Sequence, residues 1–339
     1  MHINRFVRLD KRSSGLPTLD QFSLNSETIS GPGEGEYIVR NHFIACDPAL
    51  IGRLRSESNY AESVEPGEVM HAYCVGEVIE SHLSDVPEGQ MLYGRFDMQQ
   101  YCLANADTFA FPIDVSLAPA QWYLGVLGTT GATAYFALNE ICEPVAGQCL
   151  VVSSAASSVG SIAGQLGKQQ GCHVVGIVST PEKASAACRD YGYDAVVSYR
   201  DKSTPELGKA LAEQCPAGVD MYFDNTSGDI SEALLELYNE HARVAVVGRM
   251  ALSHLEDTSL DTGRRDNSVL LAKRIRKQGF VVRDFFDRMP EAVSALSKLV
   301  KSGELVVKED VLNGIERAPE AFMRVVSGSN TGKQLVRLA

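Results

Sequence analysis

The chain has 339 residues, with 31 Lys and Arg against 43 Asp and Glu, which gives a formal net charge of −12. This acidic balance argues against a general nucleic-acid binder, because such a protein needs a basic surface to displace counterions from phosphates. With 45% hydrophobic and 22% charged residues, the composition fits a globular chain of about two domains, and no apolar run reaches the roughly 18 residues that cross a bilayer.

The amino-terminal residues 1–20 are polar and carry basic side chains with no apolar run behind them, so we expect no secretory signal. The eight cysteines are scattered and never form a C-x-x-C pair. Such spacing predicts reduced thiols, with neither a disulfide framework nor a metal cluster. These observations favour a cytoplasmic protein.

The first 120 or so residues are rich in Gly, Pro and short alternating segments, which predicts a mostly β region. The predicted strands there cover residues 36–41, 75–81 and 99–105. The last part of the chain returns to short strands, at residues 305–308 and 334–338, around a helix at 319–326. We expect this tail to rejoin the first region.

Between these parts, apolar strands alternate with segments of helical length. Such alternation predicts a parallel sheet covered by helices on both faces, in a doubly wound, Rossmann-type α/β fold. The predicted strands are residues 149–154, 173–178, 194–199, 219–224, 242–248 and 280–284. The predicted helices are residues 159–170, 181–191, 205–214 and 230–238.

The turn after the first of these strands has the position of a dinucleotide phosphate-binding loop. There the pyrophosphate binds free amides at a helix N-terminus. The three glycine positions of that motif fall at Ala155, Ser157 and Gly160, so only the third is a glycine. Alone, the motif is weak, and an ordinary strand–helix connection is the alternative. Its place at the start of a series of βα units favours a dinucleotide site.

The end of the second strand indicates which dinucleotide is bound. An NAD site usually has an Asp or Glu about 20 residues beyond the turn, for the ribose 2′-hydroxyl. Here Ser179 and Thr180 hold that place, and Lys183 follows in the next helix. A 2′-phosphate suits these donors and this charge better than a bare hydroxyl, which favours NADPH. The alternative is that Lys183 is solvated and Glu182 binds the ribose.

Short segments spread over most of the chain form an ordered set of motifs. They are Asp47-Pro48 with Gly52-Arg53, Pro66-Gly67-Glu68, Val75-Gly76-Glu77-Val78, Gly131-x-Thr133-Ala134-Tyr135, Val159-Gly160-Ser161 with Gly164-Gln165, Tyr222-Phe223-Asp224-Asn225, Gly279-Phe280-Val281-Val282, and Asn330-x-Gly332-Lys333. In this order they resemble the zinc-independent medium-chain dehydrogenases/reductases. Within that family, they resemble the prostaglandin reductase and alkenal double-bond reductase branch.

The resemblance implies a mostly β, GroES-like catalytic domain made of residues 1–122 and 305–339, and an NADPH-binding Rossmann domain at 123–304. It also implies a homodimer. The cofactor residues expected from the turn, the second strand and the matching motifs are Ala155, Ser157, Val159, Gly160, Ser179, Lys183, Tyr199, Asn225, Gly248, Phe280, Val281, Asn330 and Gly332. No metal is expected, because the zinc-ligand positions of related enzymes correspond here to Ile44 and Glu68.

The implied reaction is hydride transfer from NADPH to the β-carbon of an α,β-unsaturated aldehyde or ketone. Negative charge then builds on the carbonyl oxygen, where the protein must supply hydrogen-bond donors. Tyr60 matches a tyrosine of the branch and is the candidate donor; the alternative is that it only packs at a loop edge. Ser268 stands where the branch often has a tyrosine.

Two other functions stay open at this stage. The first is an NADPH-dependent quinone reductase, which would use the same cofactor site. The second is a dinucleotide-binding sensor without catalysis, suggested by Ser268 and by the altered turn. The basic run at 273–277 is interpreted as a solvated helix face rather than an anion-binding patch.

Overall fold

The computed structural model describes residues 1–12, 15–55, 62–255 and 257–338. The chain divides into two compact units, each with its own sheet. Unit 1 contains residues 1–125 and 309–339, and unit 2 contains residues 126–308. In the described ranges, no helix is both long and apolar enough to span a membrane.

The described strands are divided between the two units, and the longest of them, β3, lies in unit 1. In chain order they are β1 (His2–Leu9), β2 (Phe22–Ile29), β3 (Glu36–Cys46), β4 (Tyr73–Ser81), β5 (Met91–Arg95), β6 (Tyr101–Asn105), β7 (Ala110–Pro112), β8 (Cys149–Ser153), β9 (His173–Val178), β10 (Ala195–Ser198), β11 (Val219–Asp224), β12 (Tyr238–Val246), β13 (Arg276–Gly279), β14 (Glu309–Asn313) and β15 (Lys333–Arg337).

The described α-helices lie mainly in unit 2, where they connect the parallel strands. They are α1 (Ala49–Arg53), α2 (Thr129–Ala137), α3 (Ser158–Gln169), α4 (Pro181–Tyr191), α5 (Thr204–Gln214), α6 (Asp229–Ala233), α7 (Asn267–Lys273), α8 (Met289–Ser302) and α9 (Ala318–Ser327). A 3₁₀ helix at Val282–Arg288 precedes α8.

Unit 1 is a mostly β unit to which both ends of the chain contribute. Strands β1 and β2 form an antiparallel pair, and the larger sheet has the order β14-β15-β3-β4-β5-β7, with β6 on β3. The late strand β15 runs antiparallel to β3, with Val336 opposite Ile44. Both residues are fully buried, so the two ends of the chain share one core.

Unit 2 is built on a parallel sheet with the order β10-β9-β8-β11-β12-β13 in its described part. Numbered within the unit, this is the 3-2-1-4-5-6 order of a Rossmann sheet. The apolar strands are buried against helices on both faces, since crossover helices cover a parallel sheet. The predicted fold class, a Rossmann-type sheet with a mostly β second unit, is confirmed.

Helix α3 packs closely on this sheet because it presents glycines on one side. A Cβ added at Gly160 would lie 2.2 Å from the Ser154 carbonyl oxygen, and one at Gly164 would lie 2.2 Å from Tyr193 Cζ. The Tyr193 hydroxyl donates to the Gly160 carbonyl at 2.7 Å. These contacts hold the start of α3 directly above the end of β8.

Several predicted elements of unit 2 are wrong. The helix predicted at 230–238 ends at Ala233, and β12 begins at Tyr238, because Tyr238 is buried in the sheet core. The strand predicted at 280–284 does not form: β13 ends at Gly279, and a 3₁₀ helix begins at Val282, in which Phe285 stacks on Phe280 at 5.3 Å. In both places a run of apolar residues fits more than one kind of element.

Two further predictions fail near helix ends. No strand covers residues 305–308; the Leu305 amide donates to the Leu299 carbonyl and closes the end of α8. The basic run at 273–277 is not one helix face, because α7 ends at Lys273 and Arg274 has φ 52°. Residues 276–277 belong to β13.

Candidate functional site

The turn between β8 and α3 is built to present helix amides. The Ser157 side chain accepts a hydrogen bond from the Gly160 amide at 3.1 Å and so caps α3. The next amides, of Ser158 and Val159, lie in the first turn, where a helix leaves its N–H groups without intrahelical partners. Partial positive charge at this end favours an anion.

Ala155, at the first glycine position of the motif, has a different role. It is fully buried, and its amide donates to the Ile177 carbonyl of β9 at 3.1 Å. Its backbone therefore shapes the turn, and its amide is not available to a ligand. Gly160 provides the close approach described above.

Asn225 is held at the point where the strand order reverses, between β8 and β11. Its amide donates to Ser153 Oγ at 2.8 Å, and its Nδ2 donates to the Ser153 carbonyl at 2.7 Å. These two bonds join the carboxyl ends of the two strands. In open α/β sheets ligands bind at such a reversal point, outside the carboxyl ends.

The turn after Asn225 is fixed by the buried carboxylate of Asp224. Its Oδ1 accepts from the amides of Thr226 (3.0 Å) and Ser227 (2.7 Å), and its Oδ2 accepts from Ser231 Oγ (2.7 Å). Sequence reasoning did not assign Asp224 a role. An Asp at a strand end followed by small polar residues is the signal that could have identified it.

Gly248 lies beside this turn. A Cβ there would be 2.6 Å from the Asn225 carbonyl oxygen, so a side chain would displace Asn225. Two other predicted residues, Phe280 and Val281, follow β13. The Phe280 amide donates to the Val246 carbonyl at 2.9 Å, and its buried ring stacks on Phe285.

The residues predicted for the 2′-phosphate lie at the carboxyl ends of β9 and β10. Ser198 Oγ donates to the Ser179 carbonyl at 3.3 Å, and the Tyr199 amide donates to the Val178 carbonyl at 3.0 Å. Thr180 caps α4 by accepting from the Lys183 amide at 3.3 Å. Ser179, Lys183 and Tyr199 are thus gathered at one edge of the sheet.

Arg200 adds a second positive charge to this edge. Burial, and then the charge of Arg200, lower the pKa of Lys183. Two cations close enough to repel each other favour a bound dianion, because the anion offsets their mutual repulsion. Sequence reasoning missed Arg200, although its position directly after Tyr199 could have suggested it.

Asn330 and Gly332 belong to unit 1, in the loop before β15. Asn330 Nδ2 donates to the Gly332 carbonyl at 2.9 Å, and Gly332 has φ 73°. The next residue, Lys333, is 3% exposed and forms an ion pair with Asp47 at 2.5 Å. Two of the sequence motifs therefore meet inside unit 1.

Unit 1 also contains a cluster of charged side chains around His71. His71 Nδ1 lies 3.4 Å from Arg53 Nη1, while Arg95 pairs with Glu62 at 2.9 Å. Burial, and then the charges of Arg95 and Arg53, lower the pKa of His71 to about 4, so it is neutral at neutral pH. Burial raises the pKa of Asp97 to about 7, against the opposing charge of Arg95.

The candidate catalytic residue Tyr60 lies outside the described residues. Ser268 is exposed on α7. At the two positions that correspond to zinc ligands, Ile44 is fully buried and Glu68 Oε2 accepts from the Glu65 amide at 2.9 Å. Within the described ranges, no three His, Cys, Asp or Glu side chains are grouped as a metal site requires.

Comparison with known proteins places this geometry in a family. Residues 5–111 match a family model described as the N-terminal domain of oxidoreductase, and residues 158–298 match one described as zinc-binding dehydrogenase. A putative NADP-dependent oxidoreductase of Bacillus subtilis is 35% identical, over 98% of this chain and 97% of its own. The chain belongs to the medium-chain dehydrogenase/reductase family.

Two further relatives agree with this assignment. The NADP-dependent 2-alkenal reductase of Nicotiana tabacum is 32% identical over 99% of this chain and 98% of its own. The crystal structure of CurA from Vibrio vulnificus in complex with NADPH superposes with a TM-score of 0.90, at 32% identity and 99% coverage of both chains. The family and branch predicted from the sequence are confirmed.

Proposed function

We propose that this medium-chain reductase uses NADPH to reduce the carbon–carbon double bond of α,β-unsaturated aldehydes or ketones, by hydride transfer to the β-carbon and without a metal. The observation that carries the proposal is the capped start of α3 beside Asn225, at the reversal point of the sheet. The alkenal reductase among the relatives supports the substrate class.

NADPH is the cofactor, as the sequence predicts; a structural relative was solved with it and two sequence relatives are named for NADP. The described residues fit it. The α3 N-terminus suits the diphosphate, and the edge formed by Ser179, Lys183, Tyr199 and Arg200 suits the 2′-phosphate because it combines hydroxyls with positive charge.

The chain's own residues have binding and orienting roles in this proposal. Ser157, Val159 and Gly160 hold the diphosphate, and Asn225 and Gly248 shape the position of the adjoining ribose. Phe280, Val281, Asn330 and Gly332 are proposed as further cofactor contacts. When bound, NADPH supplies the hydride.

Negative charge develops on the substrate's carbonyl oxygen as the hydride arrives, so a hydrogen-bond donor there lowers the barrier. Tyr60 is proposed as that donor. Ser268 cannot replace a tyrosine in this role, because its hydroxyl lies much closer to its own backbone than the hydroxyl of a tyrosine does.

The decisive experiment is a substrate panel. The purified protein is assayed for oxidation of NADPH and NADH with an enal, an enone and a quinone. We expect turnover of the enal or enone with NADPH, and product analysis that shows a saturated carbon–carbon bond. Turnover of the quinone alone would replace the proposal with quinone reduction, and NADPH binding without any turnover would favour a sensor.

Tyr60→Phe tests the donor. We expect kcat to fall about 10- to 1000-fold, as for other oxyanion donors, while the dissociation constant of NADPH stays the same. The measurement is steady-state kinetics together with NADPH fluorescence titration, and Tyr101→Phe on β6 is the matched control. Unchanged kcat in Tyr60→Phe would remove this residue from the mechanism.

A further inference from the structure

The amino ends of the parallel strands form the opposite edge of the unit 2 sheet from the proposed cofactor site. At this edge lies a cavity of about 190 Å³. It is lined by two cysteines, a histidine and a short turn: Gly147, Cys149, His173, Cys215, Pro216, Ala217 and Gly218. Nothing in the proposed reductase reaction uses these residues.

The fold brings the two cysteines together from distant parts of the sequence. Cys149 is the first residue of β8, and its amide donates to Asp220 Oδ2 at 2.8 Å. Cys215 ends α5, and the Gly218 amide donates to its carbonyl at 2.9 Å, in the turn that leads into β11. Because β11 pairs with β8, this turn lies beside the start of β8.

The two thiols line the same cavity, and the interaction between them lowers the pKa of Cys215 and raises that of Cys149. Both residues are only 4% exposed, so the cavity is the route by which a small molecule reaches them. The pair therefore combines an activated thiol, a second thiol within reach of it, and access for a small reagent.

The other cysteines of unit 2 lack this combination. Burial raises the pKa of Cys142 to about 12. Cys172 is buried, with a raised pKa, and its Sγ contacts the Val145 carbonyl at 3.7 Å. Cys188 is exposed on α4, and partial burial of its thiol raises its pKa. All eight cysteines of the chain are free thiols.

We propose that Cys149 and Cys215 form a reversible oxidation site, at which a small hydroperoxide enters the cavity and converts the two thiols into a disulfide. The Cys215 thiolate attacks a peroxide oxygen, the O–O bond breaks, and the leaving oxygen departs as water or alcohol after protonation. Cys215 is then a sulfenic acid.

The second step closes the disulfide. The sulfur of Cys149 attacks the sulfur of Cys215, the S–O bond breaks, and the hydroxide leaves as water with the proton of the Cys149 thiol. The thiols lose two electrons in total and the peroxide gains them. A dithiol reductant reverses the reaction by thiol–disulfide exchange.

The test begins with the unsubstituted full-length protein, treated with hydrogen peroxide and mapped by mass spectrometry of non-reduced peptides. We expect a peptide pair linked through Cys149 and Cys215, which disappears after treatment with dithiothreitol. If the protein is oxidised but this linked pair is absent, the proposal is wrong. The measurement uses the unsubstituted protein, so it does not depend on the folding of any variant.

Two serine variants then separate the roles of the thiols. In Cys149→Ser, Cys215 cannot form the disulfide, and its sulfenic acid is trapped by a cyclic 1,3-dione. In Cys215→Ser, oxidation of Cys149 slows at least about tenfold, because burial still raises the pKa of Cys149 and leaves little thiolate. Cys188→Ser is the matched control and still forms the linked pair. Equal oxidation of Cys149 and Cys215 in the two variants would contradict the assignment.

Discussion

Lys183 is the single side chain that most directly distinguishes NADPH from NADH in the proposed site. It is half-buried at the start of α4, and Arg200 lowers its pKa in addition to burial. Desolvated charges interact more strongly with an anion than solvated ones do. The neighbouring hydroxyl residues, by contrast, can bind a phosphate or a ribose hydroxyl.

Lys183→Ala removes one charge from this edge. A charge-assisted hydrogen bond contributes about 1.5–3 kcal/mol, so we expect KM for NADPH to rise about 10- to 100-fold and KM for NADH to change little. The measurement is steady-state kinetics with both cofactors, using the exposed Lys209→Ala on α5 as control. Equal increases for the two cofactors would mean that Lys183 does not contact the 2′-phosphate.

Asp97 is a residue whose charge state depends on the fold. Burial raises its pKa from an ordinary 3.8 to about 7, while the unfolded chain titrates near the ordinary value. At a pH between these two pKa values, Asp97 keeps its proton in the folded state and has lost it in the unfolded state. Its contribution to stability is therefore present below about pH 4 and is lost as the pH rises to about 7.

Asp97→Asn removes this titration. We expect the variant to lose less stability than the unsubstituted protein between pH about 5 and about 8, as measured by denaturant unfolding at both values. Asn tolerates the φ of 63° at this position, so the backbone is preserved. The exposed Asp107→Asn is the control, and an unchanged pH dependence in Asp97→Asn would show that Asp97 is ionised throughout.

At the scale of elements, the start of α3 combines two demands. Ser157 caps the helix, and in the proposed site its hydroxyl hydrogen binds a phosphate; it can do both because a hydroxyl accepts and donates. A glycine at this position, as in the usual motif, would provide only the close approach. In the proposed site, a serine here therefore provides a phosphate donor that a glycine side chain lacks.

Ser157→Ala should affect both stability and cofactor binding. We expect a loss of about 1 kcal/mol in the free energy of unfolding and a rise of about 2- to 10-fold in KM for NADPH and NADH alike, because the diphosphate is common to both. Ser203→Ala removes the cap of α5 and is the matched control. If both variants leave KM unchanged, Ser157 is only a helix cap.

At the scale of the whole molecule, unit 1 depends on contacts between the two ends of the chain. Asp47 and Lys333 are 286 residues apart and form an ion pair in which Lys333 is 4% exposed. Loss of the carboxylate from a pair with a buried ammonium costs more than the pair itself contributes. The same pair holds the loop that carries Asn330 and Gly332.

Asp47→Ala should destabilise the protein by about 3–5 kcal/mol, because it removes the carboxylate that pairs with the buried ammonium of Lys333. Asp20→Ala removes the partner of Lys11 in an exposed pair and should cost at most about 1 kcal/mol. Equilibrium denaturation of both variants measures the difference. Similar losses in the two variants would show that the Asp47–Lys333 pair is solvated.

Much of unit 2 could be predicted because its strands are short apolar runs with a glycine, proline or polar turn on each side. The predicted elements at 230–238 and 280–284 were wrong. Apolar residues in these ranges fit a helix as well as a strand or an aromatic cluster. Among the proposed site residues, Ser157 and Lys183 follow a strand in sequence, and could be found. Arg200 and Asp224 were missed although each follows or ends a strand, because their roles show only in the contacts they make: Arg200 beside Lys183, and Asp224 with the turn amides and Ser231.

The sequence by itself determined the parallel sheet, the family and the cofactor, since these depend on local periodicity and on motifs in a fixed order. Only the tertiary structure decided which distant side chains meet: Asn225 with Ser153, Asp47 with Lys333, and Cys149 with Cys215. The physical reason is that pairing between strands sets those contacts. A spacing of tens or hundreds of residues carries no information about it until the chain has folded.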